Sequence, residues 1–236
     1  MKTYALAALL GLAFTAQAQA VQTLDLATGT AGGDVLATST SLFMTTALNA
    51  DDDNGINFNL SGGMPLMAGG DLETVAGHPA GEYDIDLFDN SGSMATEGSV
   101  YVLKNVVINA GDTLSFAWTF YTNEPEMGGM KDAAYFSVLN HFTTVLANAA
   151  DGITGDAGLS GYRAATSGSF NYTFTSAGSY DLVFAVVDTD DSITSSALMI
   201  NDATITPVPE AETYALMLAG LGLVGLMVKR SKRRFH

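Results

Sequence analysis

Five acidic side chains lie where two apolar runs of the sequence give way to polar residues. Asp188, Asp190 and Asp191 directly follow one such run, and Glu124 and Asp132 follow another. Carboxylate oxygens are preferred ligands of Ca²⁺, and carboxylates this close repel one another unless a cation or full solvation separates them. These residues therefore predict a calcium site, provided that both segments lie at the same end of the fold. The alternative is a set of solvated turn acids, because the spacing matches no specific calcium loop such as the EF-hand.

A carbohydrate site would need exposed aromatic rings beside carboxylates, since sugar faces stack on rings while hydroxyl groups form hydrogen bonds. Trp118 shares one strand face with Phe116 and Phe120, which predicts that it lies in the core. Tyr121 and Tyr162 are therefore the predicted stacking residues. A calcium-dependent carbohydrate-binding module is accordingly an alternative hypothesis for the function.

Residues typical of catalytic sites are scarce. His78 and His141 are the only histidines before residue 236, and neither lies in a recognisable nucleophile or metal motif. The sequence contains no G-x-S-x-G elbow, no H-E-x-x-H pair and no cysteine. We therefore predict that the protein is not an enzyme. The remaining enzyme hypothesis is a glycan-active hydrolase, because such enzymes need only a pair of carboxylates and the chain has many.

Charge is distributed very unevenly along the chain. Residues 21–208 hold 23 of the 25 acidic residues and only three basic ones, Lys104, Lys131 and Arg163, which gives a formal net charge of −20. Such a field repels phosphate backbones, so nucleic acid is excluded as a partner, whereas divalent cations are favoured. Solubility alone is the other explanation for this charge. Because cysteine is absent, the fold must hold without disulfides.

Apolar and β-branched runs separated by Gly, Asn, Asp and Ser predict an all-β domain over residues 21–206. We expect a single jelly-roll-like antiparallel β-sandwich, with an early strand or two before residue 81. Residues 142–150 fit either a strand or a helical turn, and Ala110-Gly111-Asp112 predicts a hairpin between its two flanking strands. The predicted strands are 83–88, 100–109, 113–121, 134–139, 170–175, 180–187 and 196–206.

The N-terminus has the pattern of a secretory signal peptide. Lys2 precedes an apolar stretch over residues 5–14, and Ala18 and Ala20 are the small residues that a signal peptidase recognises. We predict a signal peptide over residues 1–20, cleaved after Ala20. Signal peptidase is therefore one expected partner.

Near the C-terminus, residues 214–228 form an uncharged apolar stretch that is followed by five basic residues. This arrangement predicts a transmembrane helix over 214–228, with Tyr214, Lys229 and Arg230 at the membrane interfaces and a basic tail in the cytoplasm. As a helix the stretch spans roughly 22 Å, against ~30 Å of hydrocarbon core, so local thinning or snorkelling has to supply the difference.

Residues Val208, Pro209 and Glu210 precede this apolar stretch, and the whole segment 207–236 resembles a PEP-CTERM sorting signal, which is sometimes labelled an ice-binding protein C-terminal domain although it implies nothing about ice. Residues 109–139 and 186–202 also resemble the β-sandwich ectodomains common in PEP-CTERM proteins. Ala211 stands where the signal has its second proline.

The resemblance implies sorting by an exosortase, a membrane protease, in a Gram-negative-type bacterium. The chain would be held in the inner membrane by its C-terminal helix during transit and would then reach the cell surface or the extracellular matrix. Exopolysaccharide is the partner that the resemblance suggests there. Our main hypothesis is an exported, non-enzymatic cell-surface or matrix protein, and calcium is the only cofactor that the residues suggest.

Overall fold

The computed structural model describes residues 20–48, 58–125, 131–208, 215 and 218–225. The chain divides into two units, and Val21–Thr206 forms one of them. In the other unit, Met1–Ala20 with Pro207–His236, residues 218–225 are helical. Among the described residues, no helix has the length and apolar character needed to cross a membrane. The predicted signal peptide, apart from Ala20, lies outside the described residues, and so do residues 214, 216–217 and 226–228 of the predicted helix 214–228.

The unit Val21–Thr206 consists mainly of antiparallel strands, which confirms the all-β prediction. In chain order the strands are β1 (Gln22–Thr23), β2 (Thr30–Gly32), β3 (Asp34–Ala37), β4 (Ser41–Thr45), β5 (Leu66–Met67), β6 (Ala95–Ile108), β7 (Thr113–Thr122), β8 (Ala133–Val138), β9 (Phe142–Asn148), β10 (Ala164–Thr173), β11 (Gly178–Thr189) and β12 (Ser196–Thr206). Two short helices, α1 (Asp71–Ala76) and α2 (Asp86–Asp89), lie between β5 and β6.

The strands form two six-stranded sheets. The first has the order β10-β7-β12-β4-β3, with β1 paired to β12, and the second has the order β2-β6-β11-β8-β9, with β5 paired to β6. Every strand pair in both sheets is antiparallel. One continuous core contains buried side chains from both sheets, so the architecture is the predicted sandwich.

Aromatic rings form the centre of this core. The ring of Phe136 on β8 lies 5.0 Å from that of Phe116 on β7, 5.2 Å from that of Phe184 on β11 and 4.8 Å from that of Phe170 on β10. These four side chains come from both sheets, and their edge-to-face and tilted contacts are favourable ring geometries. Packing of these rings therefore joins the two sheets at the middle of the sandwich.

The second sheet is covered on its outer face as well. Leu72, Tyr83 and Ile85 pack with Val183, Val187 and their neighbours in a second core cluster. Strand β11 is thus buried on both faces, which explains why residues 182–187 are apolar without alternation.

The predicted strand 83–88 is wrong. Its apolar and acidic residues do alternate, but the Asp84 carboxylate accepts a hydrogen bond from the Ala95 N–H at 2.8 Å, and the Asp86 carboxylate accepts one from the Gly92 N–H. Aspartate side chains that bond to nearby backbone groups compete with a strand ladder and favour turns. Residues 86–89 consequently form α2, while Tyr83 and Ile85 still point their apolar side chains at the second sheet.

The predicted hairpin at Ala110-Gly111-Asp112 is also wrong, because β6 and β7 belong to different sheets. The turn bonds to another segment instead: the Gly111 N–H donates to the Phe174 carbonyl at 2.7 Å, and the Phe174 N–H donates to the Asp112 carbonyl at 2.9 Å. The chain therefore crosses from one sheet to the other here. The remaining predicted strands are confirmed, and 142–150 is a strand, β9, followed by a 3₁₀ turn at Ala149–Asp151.

Phe136→Ala is expected to destabilise the protein strongly, because it leaves a cavity between both sheets. Removal of a buried phenylalanine side chain costs about 3–5 kcal/mol of unfolding free energy, whereas an exposed substitution stays within about 0.5 kcal/mol. Val107→Ala is the matched control, since Val107 is 72% exposed. Urea unfolding of the exported protein measures both, and a small effect of Phe136→Ala would contradict this account of the core.

Candidate functional site

Three of the five predicted acidic residues lie together at one end of the interior layer. Alternation along β8 puts Asp132 on the same face as Phe136, and alternation along β11 puts Asp188 on the same face as Phe184. Glu124 continues the inward face of β7 beyond its last residue. All three side chains are buried, with exposed fractions of 0% for Asp132, 2% for Asp188 and 1% for Glu124. We call Glu124, Asp132 and Asp188 the acidic cluster.

Hydrogen bonds satisfy the acidic cluster only in part. Asp132 Oδ1 accepts the N–H of Thr189 at 3.1 Å. Its other carboxylate oxygen, Oδ2, and Asp188 Oδ1 are buried and accept no hydrogen bond. A buried polar atom left without a partner costs about 1–3 kcal/mol, and more when it is charged.

Burial also disfavours the charged forms of these carboxyls. Burial raises the pKa of Asp188 to about 11, and repulsion from Asp132, Asp191 and Glu124 adds to the effect. Burial likewise raises the pKa of Asp132 well above its usual range, and repulsion from Glu124 and Asp191 adds to it. Hydrogen bonds from Ser196 and Thr189 act on Asp132 in the opposite direction, but they do not cancel the effect of burial. The charged groups that act on the two carboxyls are acidic, so a proton or a cation has to compensate what the hydrogen bonds leave.

The loop after β11 is tied to the acidic cluster. Thr194 Oγ1 donates to Glu124 Oε1, and the Asn123 N–H donates to the Ser195 carbonyl at 3.2 Å. From the opposite side, Thr96 Oγ1 donates to the Asp188 carbonyl at 3.1 Å and to that of Asp191. Residues 190–195 therefore connect β7 of one sheet with β6 of the other.

The other two predicted acids behave differently. Asp191 is partly buried and close enough to act on both interior aspartates. Asp190 is exposed, has a φ of 72° and accepts a hydrogen bond from the Met94 N–H at 3.2 Å, so the structure does not bring it to the cluster. Sequence analysis missed Glu97, which is buried and pairs with Asp188 across β6 and β11. Extending the alternation of β6 backwards from Tyr101 would have placed Glu97 on the interior face.

Asp34 is a useful contrast, because it is a buried aspartate with a full set of partners. Its Oδ1 accepts from the N–H and the hydroxyl of Ser61, both at 2.7 Å. Its Oδ2 accepts from the Leu60 N–H at 2.8 Å and from Thr45 Oγ1 at 2.5 Å. Asp34 therefore joins β3, β4 and the segment 60–61 without any need for a cation.

Within the described part of the chain, no three His, Asp or Glu side chains are arranged as a ready-made metal centre. His78 and His141 line a different cleft, at the end of β8 remote from Asp132. Burial lowers the pKa of His78, whose Nε2 is buried without a hydrogen bond.

A second feature is an open cleft of about 490 Å³ between β10, β9 and the segment 148–155. Trp118 forms one wall, and Asn148, Asp151, Thr154 and Thr166 supply polar groups. Gly168 pairs with Trp118 across β7 and β10, and a Cβ at that position would lie 2.5 Å from the indole ring. The glycine thus leaves the space that the indole ring occupies.

The aromatic prediction must be corrected at this point. Tyr121 and Tyr162, the predicted stacking residues, are buried, with ring centroids 5.5 Å apart. They pack with Phe43 and Phe58 on the outer face of the first sheet. Trp118, which was predicted to be core, packs against the core but stays partly exposed and lines the cleft.

Two of the predicted targeting residues are described, and both are exposed. Val208 lies two residues after the end of β12, and Ala20 directly precedes the unit Val21–Thr206. Ala18, Pro209, Glu210, Tyr214, Lys229 and Arg230 lie outside the described residues.

Comparison with known proteins gives one family match: residues 207–234 match the PEP-CTERM protein-sorting motif. The chain therefore carries a PEP-CTERM sorting signal, which supports an exported protein that is sorted by an exosortase. A search of curated proteins finds no match.

Solved structures with some similarity include the N-terminal cellulose-binding domain of Cellulomonas fimi β-1,4-glucanase C, which is 11% identical with a TM-score of 0.33 over 76% of this chain and 89% of that one. TmCBM61 in complex with β-1,4-galactotriose is 11% identical with a TM-score of 0.29 over 50% of this chain and 69% of that one. The CBM22-1–GH10 modules of Clostridium thermocellum xylanase 10B, complexed with xylohexaose, are 15% identical with a TM-score of 0.29 over 79% and 28%. Similarity this weak assigns neither a ligand nor an activity to this chain.

In the presence of a chelator, Asp188→Asn is expected to be more stable than the unsubstituted protein at pH 8. Folding raises the pKa of the Asp188 carboxyl from ~4 in the unfolded chain to about 11. Its contribution to the unfolding free energy is therefore fully present below pH ~4 and is lost as the pH rises towards about 11. The advantage of Asp188→Asn should therefore shrink as the pH falls towards ~4. Urea unfolding from acidic to alkaline pH measures it.

Asp34→Asn is the control, and its effect should have the opposite sign. The amide cannot accept all four of the hydrogen bonds that Asp34 receives, so the unfolding free energy should fall by about 1–3 kcal/mol. Equal losses in both variants would show that Asp188 is satisfied in the same way as Asp34.

Proposed function

We propose that this protein is an exported, non-enzymatic protein of the cell surface or extracellular matrix, handled by signal peptidase at its N-terminus and by an exosortase at its C-terminus. The observation that carries the proposal is the sorting motif at residues 207–234, which begins directly after β12. The signal-peptide pattern of residues 1–20 supports export from the other end of the chain. The helix predicted over 214–228 would hold the chain in the inner membrane of a Gram-negative-type cell during transit.

The chemistry of the unit Val21–Thr206 suits this location. Its strong negative charge disfavours nucleic acids and anionic lipid surfaces as partners, and it keeps an exported protein soluble. The fold also uses no disulfide, because the sequence contains no cysteine. Its function outside the cell would then be binding or structural, with exopolysaccharide as the expected partner.

The sorting proposal predicts a protein shortened at both ends. Intact-mass measurement of the protein from cell-surface and culture fractions should show the loss of about 20 N-terminal residues and of part of 207–236. A Pro209→Ala, Glu210→Ala double variant should keep its C-terminal segment and remain in the membrane fraction. Glu212→Ala, which removes a nearby charge outside the Pro-Glu element, is the matched control and should be processed normally. A full-length, uncut chain in the cytosol would overturn the proposal.

A second candidate function is carbohydrate binding in the cleft beside Trp118. Its volume of about 490 Å³ falls within the ~300–1,000 Å³ range of small-molecule sites. An indole face beside carboxylate, amide and hydroxyl groups combines a stacking surface with hydrogen-bonding partners for sugar hydroxyls. The negative charge around it favours neutral over anionic glycans.

Trp118 is the only tryptophan in the chain, so its fluorescence reports directly on this cleft. Titration with neutral hexose and pentose oligosaccharides should shift that fluorescence, while uronic-acid oligosaccharides should not. In calorimetry, Trp118→Ala should weaken binding by about five- to tenfold, because stacking on one ring is worth on the order of 1–1.4 kcal/mol. Tyr121→Phe, a change within a buried cluster, should leave binding unchanged. No shift with any glycan would remove this candidate, and new reducing ends in the mixtures would point to the hydrolase instead.

A further inference from the structure

We infer that the acidic cluster binds one calcium ion, held by Asp132 and Asp188 together with Glu124 and the nearby Asp191. The inference is independent of sorting and of carbohydrate binding. It rests on two carboxylates that the fold places in its interior and leaves without enough partners.

The first step concerns position. Asp132 and Asp188 face the interior layer between the sheets, in the same rows of side chains as Phe136 and Phe184. A carboxylate in such a place is strongly destabilising unless hydrogen bonds or an opposite charge compensate it. Asp34 shows how this chain satisfies a buried aspartate, with four donors around its two oxygens.

The second step concerns what the cluster lacks. Asp132 Oδ2 and Asp188 Oδ1 are buried and accept no hydrogen bond, and the charged groups that act on the two carboxyls are acidic. Hydrogen bonds from Ser196 and Thr189 offset this at Asp132 only in part, so a proton or a cation has to compensate the remaining charge. A proton can be shared by only two of these oxygens, whereas a calcium ion can contact several of them at once.

The third step identifies the cation. The cluster presents oxygen ligands, the chain has no cysteine, and the two described histidines lie at the other end of β8, which disfavours zinc and other soft metals. Calcium takes 6–8 oxygen ligands in irregular geometry, including waters and backbone carbonyls, whereas magnesium demands a strict octahedron. Calcium therefore does not need three acids that already converge, an arrangement that the described residues do not show.

The site would act as a staple between the sheets. Glu124 extends β7 of the first sheet, while Asp132 and Asp188 belong to β8 and β11 of the second. Asp191 would bring the loop 190–195 onto the ion, where Thr194 and Thr96 already hold that loop in place. One ion would thereby fix both sheets and the loop, as a disulfide does in other exported domains.

The test is a calcium titration of the exported protein after removal of metals with a chelator. Calorimetry should show one site, with a dissociation constant in the ~0.1–1 mM range typical of extracellular calcium modules. Calcium should also raise the Tm in a concentration-dependent way, and magnesium at the same concentration should do so much less. Asp132→Asn and Asp188→Asn should each weaken calcium binding by at least about tenfold.

Two controls separate a metal site from a structural role. Asp34→Asn lowers stability but should keep the full calcium-dependent rise in Tm, because the Asp34 carboxylate accepts hydrogen bonds from Thr45, Leu60 and Ser61, none of which belongs to the acidic cluster. Asp202→Asn, an exposed acid, should leave both unchanged. If calcium neither binds nor raises the Tm of the unsubstituted protein, the inference is overturned, and the carboxyls are compensated by protons. Should an Asn variant fail to fold, the titration of the unsubstituted protein still decides the question, and neither result bears on sorting.

Discussion

Alternation of side chains along the strands places the aromatic core and the acidic cluster in the same interior layer. On β8 and β11 the inward positions run from phenylalanine at the centre to aspartate at one end, and on β7 they run from Phe116 to Glu124. A side chain at the end of such a row cannot turn to solvent without shifting the register of the whole strand, which would expose the core. The burial of the acids is thus a consequence of the same register that buries the rings.

Because one register buries both groups, burial contributes favourably to the free energy of folding at the aromatic centre and unfavourably at the acidic end. The rings gain from leaving water and from contact across the sheets. The carboxylates lose solvation, and Asp132 and Asp188 regain only part of it from hydrogen bonds. The fold keeps both because the sheets close at this end through polar contacts, among them the 2.6 Å hydrogen bond that the Ser99 hydroxyl on β6 donates to the Thr45 carbonyl on β4. The stability of the acidic end therefore depends on what compensates the charge of its carboxyls, whereas the stability of the aromatic centre does not depend on charge.

The sequence was sufficient to predict the sandwich and most of the residues of the acidic cluster, since both follow from local alternation of apolar and polar residues. Glu124, Asp132 and Asp188 each continue an apolar row, so their burial could be anticipated. Alternation shows which residues share a face of β7, but it does not show which face distant segments cover. Phe58 and Tyr162 come from such segments and bury Tyr121, while Trp118 lies beside the open cleft.

The two errors in the strand pattern have a similar origin. Ala110-Gly111-Asp112 correctly marks a reversal of the chain, but a turn does not specify whether the next strand pairs with the previous one or joins the other sheet. In 83–88 the alternation reflects a real division between apolar and polar sides. The backbone conformation, however, is set by the hydrogen bonds that Asp84 and Asp86 accept from the Ala95 and Gly92 N–H groups. In both places, hydrogen bonds to residues outside the segment select among the local structures that its own residues allow.

The sorting motif begins immediately after the last strand of the first sheet. Strand β12 lies between β7 and β4 in the first sheet, and its ladder ends at Thr206. A cut inside β12 would remove a strand paired on both sides, with Leu198 and Ile200 from the core, and the sandwich would not survive it. The motif begins at residue 207, so cleavage anywhere within it leaves every ladder bond of β12 intact. Processing and folding are therefore compatible because the recognised segment starts where the sheet stops.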